Sequence, residues 1–414
     1  MRRARWLVIA MMAALGLSLA LPPAPARAAE EVDPLDPATA SAPVRRAVFR
    51  AETTHGRGET AEAVRILREA LEAGEGRDHP SLLYRLGAYL LELDEAGPAA
   101  DYLAQAGAKA PDSPPIWADL ARATYQLGRY DEAARAFARA HVAMQTAHRA
   151  APEETPAADP VLLYYSGVAH LLGDEPDEAV DTLAPLVASA PDTVPREWVQ
   201  ALVSAAADAG QPARAAAGVE RLLRDHPDAP GAWNLASQHA QLENDLAGAA
   251  LRLQVADWLR PLPPQELRLL GDLYGAAELP RQAARAYQRL WPDDPDLARP
   301  LAVAWLQAHE PDSARVVLDA AIADPPDDRA AVQMLMLLGD LEYGEKNWQA
   351  AREAYRRAAE RDPDSGRAWL MQGATSIELE DVDAARRALE RAAEFDAQEA
   401  EAERLLEYLE RGAS

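Results

Sequence analysis

Residues 230–263 read PGAWNLASQHAQLENDLAGAALRLQVADWLRPLP, and they form one period of a pattern that recurs every 34 residues. The fourth residue of each period is large and apolar. From the quoted stretch onward this residue recurs without slippage, as Trp233, Leu267, Leu301, Leu335 and Trp369. A fixed period of this length is typical of chains built from stacked supersecondary units. The period therefore predicts a repeat architecture before any single motif is considered.

Working outward from residue 230 in both directions gives ten candidate units. They begin near Val44, Pro80, Pro114, Pro160, Arg196, Pro230, Pro264, Ala298, Val332 and Gly366. Position eight of most units holds a small residue, which lets two helices of a hairpin touch. These residues are Gly87, Ala121, Gly167, Ser237, Gly271, Gly339 and Gly373.

Three further positions in the period are regular. Position twenty is alanine in every unit except the one at Ala298: Ala63, Ala99, Ala133, Ala179, Ala215, Ala249, Ala283, Ala351 and Ala385. Position twenty-four is large and apolar in the same units: Leu67, Leu103, Phe137, Leu183, Val219, Leu253, Tyr287, Tyr355 and Leu389. Position thirty-two is often a proline, which cannot continue the preceding helix. The pattern predicts a helix, a tight turn, a second helix and a proline stop.

This combination of small, alanine, large apolar and proline positions resembles the tetratricopeptide repeat. The resemblance covers most of the chain after its first 43 residues. It implies an all-α fold, a right-handed solenoid of about ten helical hairpins, with a capping helix and tail over residues 397–414. It also implies a function in protein binding, although it does not identify a partner.

Two places depart from the regular pattern. The unit at Ala298 places Trp305 at position eight, and its turn at residues 310–312 comes early, so we expect this hairpin to open locally, as a hinge or through ordinary drift. Residues 141–160 contain a Pro- and Glu-rich stretch, which predicts an exposed insertion loop. This loop either divides the repeats into the ranges 44–140 and 161–396 or is a tolerated surface insertion.

The N-terminal segment has the features of a secretory signal. Arg2, Arg3 and Arg5 precede an apolar run over residues 6–21, and the small residues Ala26 and Ala28 suit cleavage before residue 29. We therefore expect residues 1–28 to be a cleaved Sec-type signal peptide and the mature protein to be periplasmic, the alternative being an uncleaved membrane anchor. Residues 29–43 are predicted to be a disordered linker.

Composition excludes several kinds of site and partner. The chain has no cysteine, which rules out disulfides, thiolate metal ligands and a cysteine nucleophile. It has 67 acidic and 42 basic residues and a formal net charge of −25. Nucleic-acid binding requires a basic surface, and anionic lipid requires basic clusters, so neither partner is expected.

The sequence contains no recognisable catalytic or cofactor motif. The eight histidines include no pair spaced four apart on a helix face, and His141 and His148 lack a patterned carboxylate partner, so no metal site is expected. No G-x-S-x-G elbow or glycine-rich phosphate loop is present. We therefore predict that the protein is not an enzyme and uses no cofactor.

A binding groove remains the best candidate functional site. In tetratricopeptide proteins the first helix of each hairpin lines the groove, chiefly through positions two, five, nine and twelve. The resemblance therefore implies a groove for protein or peptide segments, whose aromatic, arginine and amide side chains suit peptide recognition. Its candidate residues are Tyr84, Arg122, Tyr125, Tyr164, Asn234, Gln238, Gln241, Arg268, Asp272, Gln333, Asp340 and Tyr343.

Some segments are also similar to a narrower group of proteins. Residues 232–236, 269–274, 279–285 and 406–409 resemble the secreted repeat proteins that are encoded beside TonB, ExbB and ExbD. This resemblance implies an accessory of an energy-transducing complex of the inner membrane. Two other roles stay open. One is an assembly factor for outer-membrane, pilus or polysaccharide-export machinery, and the other is a chaperone for cytochrome maturation.

Overall fold

The computed structural model describes residues 34–74, 78–153 and 155–412. These residues form 21 α-helices, three short 3₁₀ turns and no β-strand. The predicted all-α fold is confirmed. The predicted signal peptide over residues 1–28 and the first residues of the predicted linker, 29–33, lie outside the described residues.

The chain forms two compact units, the first ending at Glu243 and the second beginning at Asn244. Within the first unit each helix packs on its neighbours in the chain. Its helices are α1 (Ala42–His55), α2 (Thr60–Glu72), α3 (Pro80–Glu92), α4 (Ala96–Lys109), α5 (Pro114–Gln126), α6 (Tyr130–Ala150), α7 (Val161–Leu172), α8 (Pro176–Ser189), α9 (Arg196–Asp208), α10 (Ala216–Asp225) and α11 (Pro230–Leu242).

The second unit has the same neighbour-on-neighbour packing. Its helices are α12 (Leu246–Leu259), α13 (Pro264–Ala276), α14 (Pro280–Gln288), α15 (Ala298–Gln307), α16 (Pro311–Ala323), α17 (Asp328–Gly344), α18 (Trp348–Arg361), α19 (Gly366–Glu378), α20 (Val382–Ala392) and α21 (Glu399–Gly412). The 3₁₀ turns lie at Pro37–Thr39, Pro212–Ala215 and Pro295–Leu297.

The small residue at position eight allows the two helices of a hairpin to meet. A Cβ atom added to Gly271 would lie 2.4 Å from the ring of Tyr287, the residue at position twenty-four of the same unit. Gly339 has the same relation to Tyr355, also at 2.4 Å. Gly87, Gly167 and Gly373 face the leucine at position twenty-four of their units. The predicted close approach of the two helices at position eight is therefore confirmed, and the structure places the large residue of position twenty-four against it in the same hairpin.

The other two regular positions also have the predicted roles. All nine alanines at position twenty are at most 1% exposed. The prolines at position thirty-two follow helix ends, and the carbonyls of three of them accept a bond that the sequence did not predict. The indole Nε1 of the next unit's position-four tryptophan donates to this carbonyl, at 2.6 Å from Trp117 to Pro111, 2.7 Å from Trp233 to Pro227 and 3.0 Å from Trp369 to Pro363.

The turn inside each hairpin contains one residue in the left-handed region. In most units it stands at position fifteen, as Gly58, Asp94, Gly128, Asp174, Gly210, Asn244, Glu278, Lys346 and Glu380. In the unit at Ala298 it is His309, with a φ of 59°, three positions earlier than in the other units. The early turn expected for this unit is thus observed. Trp305 at its position eight is 8% exposed, and α15 and α16 still pack on each other.

The predicted linker over residues 29–43 is wrong for the part that the structure describes. Leu35 and Ala40 are buried, and the Arg85 guanidinium donates to the Leu35 carbonyl at 3.3 Å. The carboxylate of Asp36 caps the 3₁₀ turn at the backbone nitrogen of Ala38. Leu35 packs in one core cluster with Leu83. These residues are far apart in the chain, so the local composition could not predict that Leu35 is ordered.

The insertion is shorter than predicted, because residues 141–150 are the last turns of α6. Two histidines of this extended helix bind the segment that follows. The Nδ1 atom of His148 donates to the carbonyl of Thr155 at 2.8 Å, and that of His141 donates to the carbonyl of Asp159 at 3.2 Å. Since α6 and α7 pack on each other inside the first unit, the segment is a surface insertion within that unit.

The last helix, α21, follows the final hairpin. Ala402 and Leu409 of α21 are buried against the final hairpin, and Leu405 and Leu406 pack beside them. Tyr408, on the other side of α21, is exposed. This is the arrangement expected of the predicted capping helix. Among the described residues, no helix combines the length and the apolar character that a membrane span requires.

Candidate functional site

The acidic groove candidates of the second unit are bonded within the chain. The Tyr287 hydroxyl donates to Asp272 at 2.7 Å, and the Tyr355 hydroxyl donates to Asp340 at 2.9 Å. Asp340 also accepts a bond from Arg367 on α19 at 2.8 Å. Burial, together with the neighbouring carboxylate, raises the pKa of both tyrosines. These aspartates connect positions nine and twenty-four of their own hairpins, so a ligand would have to compete for them.

The remaining candidates in this unit vary in their contacts. Arg268 forms an ion pair with Asp294 at 3.2 Å. The ring of Tyr343 packs edge-on against Trp348 across the hairpin turn, with centroids 4.9 Å apart. Gln333 is exposed and lines a depression of about 110 Å³. This volume is smaller than the roughly 300 Å³ of a typical small-molecule site.

In the first unit, Tyr84 and Arg122 share one half-buried carboxylate, that of Asp119, which the sequence did not single out. Arg122 forms an ion pair with Asp119 at 3.1 Å, and the Tyr84 hydroxyl hydrogen-bonds to the same carboxylate. Burial raises the pKa of Asp119 more than Arg122 and Tyr84 lower it. Tyr84 and Arg122 therefore stabilise this half-buried acid and have less capacity left for a ligand.

The two other tyrosine candidates, Tyr125 and Tyr164, belong to a group that we call the tyrosine cluster: Tyr125, Tyr130, Tyr164, Tyr165 and Trp198. Tyr125 packs edge-on against Tyr130 at 5.5 Å between centroids, and Tyr164 contacts Tyr165 at 5.6 Å. Tyr164 also stacks on Trp198 at 6.3 Å. The structure therefore brings together residues from α5, α6, α7 and α9.

The tyrosine hydroxyls of this cluster have no hydrogen-bond partner among the described residues, and none is enclosed. Burial, and then neighbouring tyrosines and carboxylates, raises the pKa of Tyr125 and of Tyr164 to about 12. The pKa of Tyr165 is raised by burial and by Asp159. The hydroxyls thus stay neutral near pH 7, and each can donate and accept one or more hydrogen bonds.

Sequence reasoning missed Tyr130, Tyr165 and Trp198 because they stand outside positions two, five, nine and twelve. Tyr165 is at position six and reaches Phe137 of the preceding hairpin, at 5.6 Å between centroids. A usable signal was present, since Tyr164 and Tyr165 are adjacent and lie 34 and 35 residues after Tyr130.

The three candidates on α11 are less enclosed. Gln238 is exposed, Asn234 is half-buried, and the Gln241 amide donates to the Ser237 carbonyl at 3.4 Å. In the described ranges no group of three histidine, aspartate or glutamate side chains is arranged to hold a metal ion. The site chemistry that the geometry offers is therefore hydrogen bonding and aromatic contact.

Comparison with known proteins identifies the repeat. Models of the tetratricopeptide repeat match residues 90–141 and residues 336–402. Both ranges contain the packed positions described above, with Ala121, Ala133 and Phe137 in the first and Gly339, Ala351 and Tyr355 in the second.

The chain is a tetratricopeptide-repeat protein. Its repeats indicate a scaffold for protein–protein interaction. No curated protein matches the chain.

Solved structures also resemble this tetratricopeptide-repeat protein. Naa15/Naa10 bound to HypK-THB is 14% identical with a TM-score of 0.38, and the match covers 87% of this chain but only 59% of that one. YrrB, described as a TPR protein with an unusual peptide-binding site, is 17% identical with a TM-score of 0.36, over 49% of this chain and 96% of that one. A tetratricopeptide repeat protein from Parabacteroides merdae is 12% identical with a TM-score of 0.34, over 64% and 99%.

Proposed function

We propose that this protein is a non-catalytic scaffold that binds an extended segment of a partner protein at the tyrosine cluster. The observation that carries the proposal is the set of tyrosine hydroxyls that lie together without a hydrogen-bond partner in the described chain. Tyrosine combines apolar area with a hydrogen-bonding hydroxyl at low cost in side-chain entropy, which makes it common in binding surfaces.

An extended segment fits this surface better than a folded helix does. Backbone carbonyls and N–H groups of an extended or polyproline-like segment are not satisfied internally, so they can bond to the hydroxyls of Tyr125, Tyr164 and Tyr165. The charge of Glu197 contributes to the raised pKa of Tyr164, and that of Asp159 contributes to the raised pKa of Tyr165, so both carboxylates lie near the cluster. These two acids favour a segment that carries a basic residue beside its bound portion.

The groove residues of the second unit are a second candidate, since Gln333 and Arg268 are exposed there. Binding at Asp272 or Asp340 would displace the bonds to Tyr287 and Tyr355. Such displacement reduces the net gain from a new hydrogen bond, because one bond is exchanged for another. This comparison favours the tyrosine cluster.

The test removes hydroxyls and keeps the rings. A Tyr125→Phe, Tyr164→Phe, Tyr165→Phe triple variant should capture its partners from periplasmic extract about tenfold less well, because each lost hydrogen bond contributes roughly 0.5–1.5 kcal/mol. Crosslinking and quantitative mass spectrometry would measure capture and identify the bound segment. Tyr408→Phe, on the exposed side of α21, is the matched control and should leave capture unchanged. Undiminished capture by a well-folded triple variant would contradict the proposal.

We further propose that the protein acts in the periplasm, as an accessory of a TonB–ExbB–ExbD-type complex. The basic N-terminal residues, the apolar run and the small residues before residue 29 support export, and the four similar segments support the pathway. The alternative is an assembly factor or chaperone for outer-membrane, pilus, polysaccharide-export or cytochrome-maturation machinery. Crosslinked partners would separate these roles: ExbB, ExbD or TonB peptides support the first, and their absence among abundant crosslinks to other envelope machinery supports the second.

A further inference from the structure

The second helices of the hairpins share one outward-facing position, number twenty-two of the period, that is exposed throughout the described chain. By residue number it is charged in eight of the ten units: Arg65, Asp101, Arg135, Asp181, Arg285, Asp319, Glu353 and Arg387. In the unit at Ala298, whose turn comes three residues early, the structurally equivalent residue is Val316, which is 69% exposed. The unit at Arg196 has Ala217 there. The unit whose second helix is α12 has Leu251, which is 60% exposed. At this position α12 presents a large apolar side chain to solvent where the other helices mostly present a charge.

Leu251 belongs to a longer apolar face of α12. Val255, Trp258 and Leu259 follow it by four, seven and eight residues, which places them on the same side of a helix. Trp258 is 73% exposed and Leu259 is 40% exposed. Val255 is half-buried. The opposite side of α12 supplies Ala249, Leu253 and Ala256 to the core, so the core packing of this helix rests mainly on that side. Contiguous exposed apolar residues in a soluble fold mark interaction surfaces.

Basic side chains lie beside this face. Arg289, the residue directly after α14, bonds to Asp257 of α12, at 2.5 and 2.9 Å, which brings the C-terminal end of α14 to α12. Arg285 lies one turn before Arg289 on the same face of α14, is exposed, and forms no ion pair with a described residue. Arg252, on α12 itself, contacts Asp245 at 3.4 Å. The carboxylates of α12 are thus already paired, whereas Arg285 is available.

We propose that the outward face of α12, formed by Leu251, Val255, Trp258 and Leu259, is a docking site for an acidic amphipathic helix of a partner protein. An apolar stripe with spacing of three and four residues matches the stripe of a second amphipathic helix. Glutamates flanking that stripe would face Arg285 and Arg252. This site is separate from the tyrosine cluster and does not depend on it.

Two other occupants fit less well. An anionic membrane would take tryptophan and arginine, but such surfaces bind clusters of about 4–8 basic residues, and this face has Arg285 and Arg252 beside it. A second copy of the chain would bring Arg285 of one copy toward Arg285 of the other if the contact were symmetric, and like charges oppose that contact.

The experiment uses the full chain and two synthetic helical peptides. Both carry leucines along one stripe over about three heptads, and the flanking positions hold glutamate in one peptide and lysine in the other. Fluorescence anisotropy at about 0.15 M salt measures binding. We expect the glutamate peptide to bind at least about tenfold more tightly than the lysine peptide, and Arg285→Glu to narrow this preference.

Point variants locate the site. Leu251→Asp and Trp258→Ala should each weaken the glutamate peptide at least about tenfold, since an exposed aromatic or aliphatic anchor dominates such contacts. Val316→Asp is the matched control, because Val316 is 69% exposed on α16 and far from this face in the chain. The triple tyrosine-to-phenylalanine variant should bind the glutamate peptide normally, which separates this site from the tyrosine cluster.

Several results would overturn the proposal. One is equal affinity of the chain for the two peptides. Another is that the Leu251→Asp variant binds the glutamate peptide with the same affinity as the unchanged chain. A dimer in light scattering that Leu251→Asp abolishes would assign the face to a second copy. Binding to phosphatidylglycerol vesicles that Trp258→Ala abolishes, with no peptide binding, would assign it to a membrane.

Discussion

Gly271 and Gly275 lie one turn apart on α13, and only Gly271 faces the ring of Tyr287. A Cβ on Gly271 would meet that ring at 2.4 Å, whereas one on Gly275 would meet nothing within 4 Å. We expect Gly271→Ala to destabilise the protein by about 1–3 kcal/mol through overpacking. Gly275→Ala should be neutral or stabilising by up to about 1 kcal/mol, because alanine is the better helix former. Urea unfolding followed by circular dichroism measures both, and equal midpoints for the two variants would contradict the close contact.

The ionised carboxylate of Asp257 is stabilised by hydrogen bonds within the fold. It is 8% exposed and accepts bonds from Arg289 and, at 3.1 Å, from the backbone nitrogen of Leu262. The bond from Arg289 holds the pKa of Asp257 below its usual value despite burial, which acts in the opposite direction. A depressed folded-state pKa contributes stability above the unfolded pKa of about 4, and this stability is lost as the pH falls through the folded value.

Asp257→Asn should therefore lower the urea midpoint at pH 7, and the deficit should shrink as the pH falls below about 4. Parallel unfolding curves of both proteins across this range measure the effect. Asp319→Asn, at an exposed position of α16, is the control and should show no comparable pH-dependent deficit. A deficit that persists unchanged in acid would mean that the Asp257 charge is not what stabilises the contact.

At the scale of an element, α18 illustrates how one helix face is specified. Ala351 is fully buried and stands at position twenty, whereas Ala350 beside it is exposed. We expect Ala351→Leu to destabilise the second unit by about 1–3 kcal/mol, because the added atoms have no space. Ala350→Leu should change stability by no more than about 0.5 kcal/mol. Thermal melting of the two variants tests this, and a melting curve for Ala351→Leu that equals the unchanged one would mean that the helix face is assigned wrongly.

The helices also differ in how much of their surface is used inside the chain. On α17, Glu342 is 5% exposed and accepts bonds from Arg315 at 2.5 Å and from Asn347 at 2.7 Å. On α12, by contrast, Leu251 and Trp258 are mostly exposed, at 60% and 73%. An element whose polar groups are paired within the fold contributes to stability, and one with uncovered apolar area is available to a partner.

At the scale of the whole molecule, the proposed export has a direct consequence. If the signal peptide is cleaved before residue 29, the protein isolated from the periplasm begins at Ala29 and lacks the mass of residues 1–28. Intact-mass spectrometry and N-terminal sequencing check this. Recovery of the full-length chain in the membrane fraction would instead support the uncleaved anchor, and recovery only from the cytoplasm would contradict both.

The repeat itself was readable from the sequence because its contacts are local. The glycine at position eight and the large residue at position twenty-four, such as Gly339 and Tyr355, lie sixteen residues apart in one hairpin. Helical periodicity fixes which face each occupies, so the small residue at position eight predicted a close contact between the helices, and the structure identified position twenty-four as its partner. The same logic predicted the early turn near His309.

The sequence by itself determined the helices, the close-packed positions and the general class of binding scaffold, since all of these follow from spacing within one repeat. Only the tertiary structure decided which polar groups remain available. Asp340 is bonded to Arg367 of the next hairpin, and Leu35 is buried beside Leu83, although neither contact follows from the residue types alone. Part of the tyrosine cluster arose for the same reason, because Tyr164 meets Trp198 through packing between hairpins, whereas Tyr125 and Tyr130 meet across the turn of one hairpin. Position in a repeat fixes the direction of a side chain, whereas its partners depend on the neighbouring repeat.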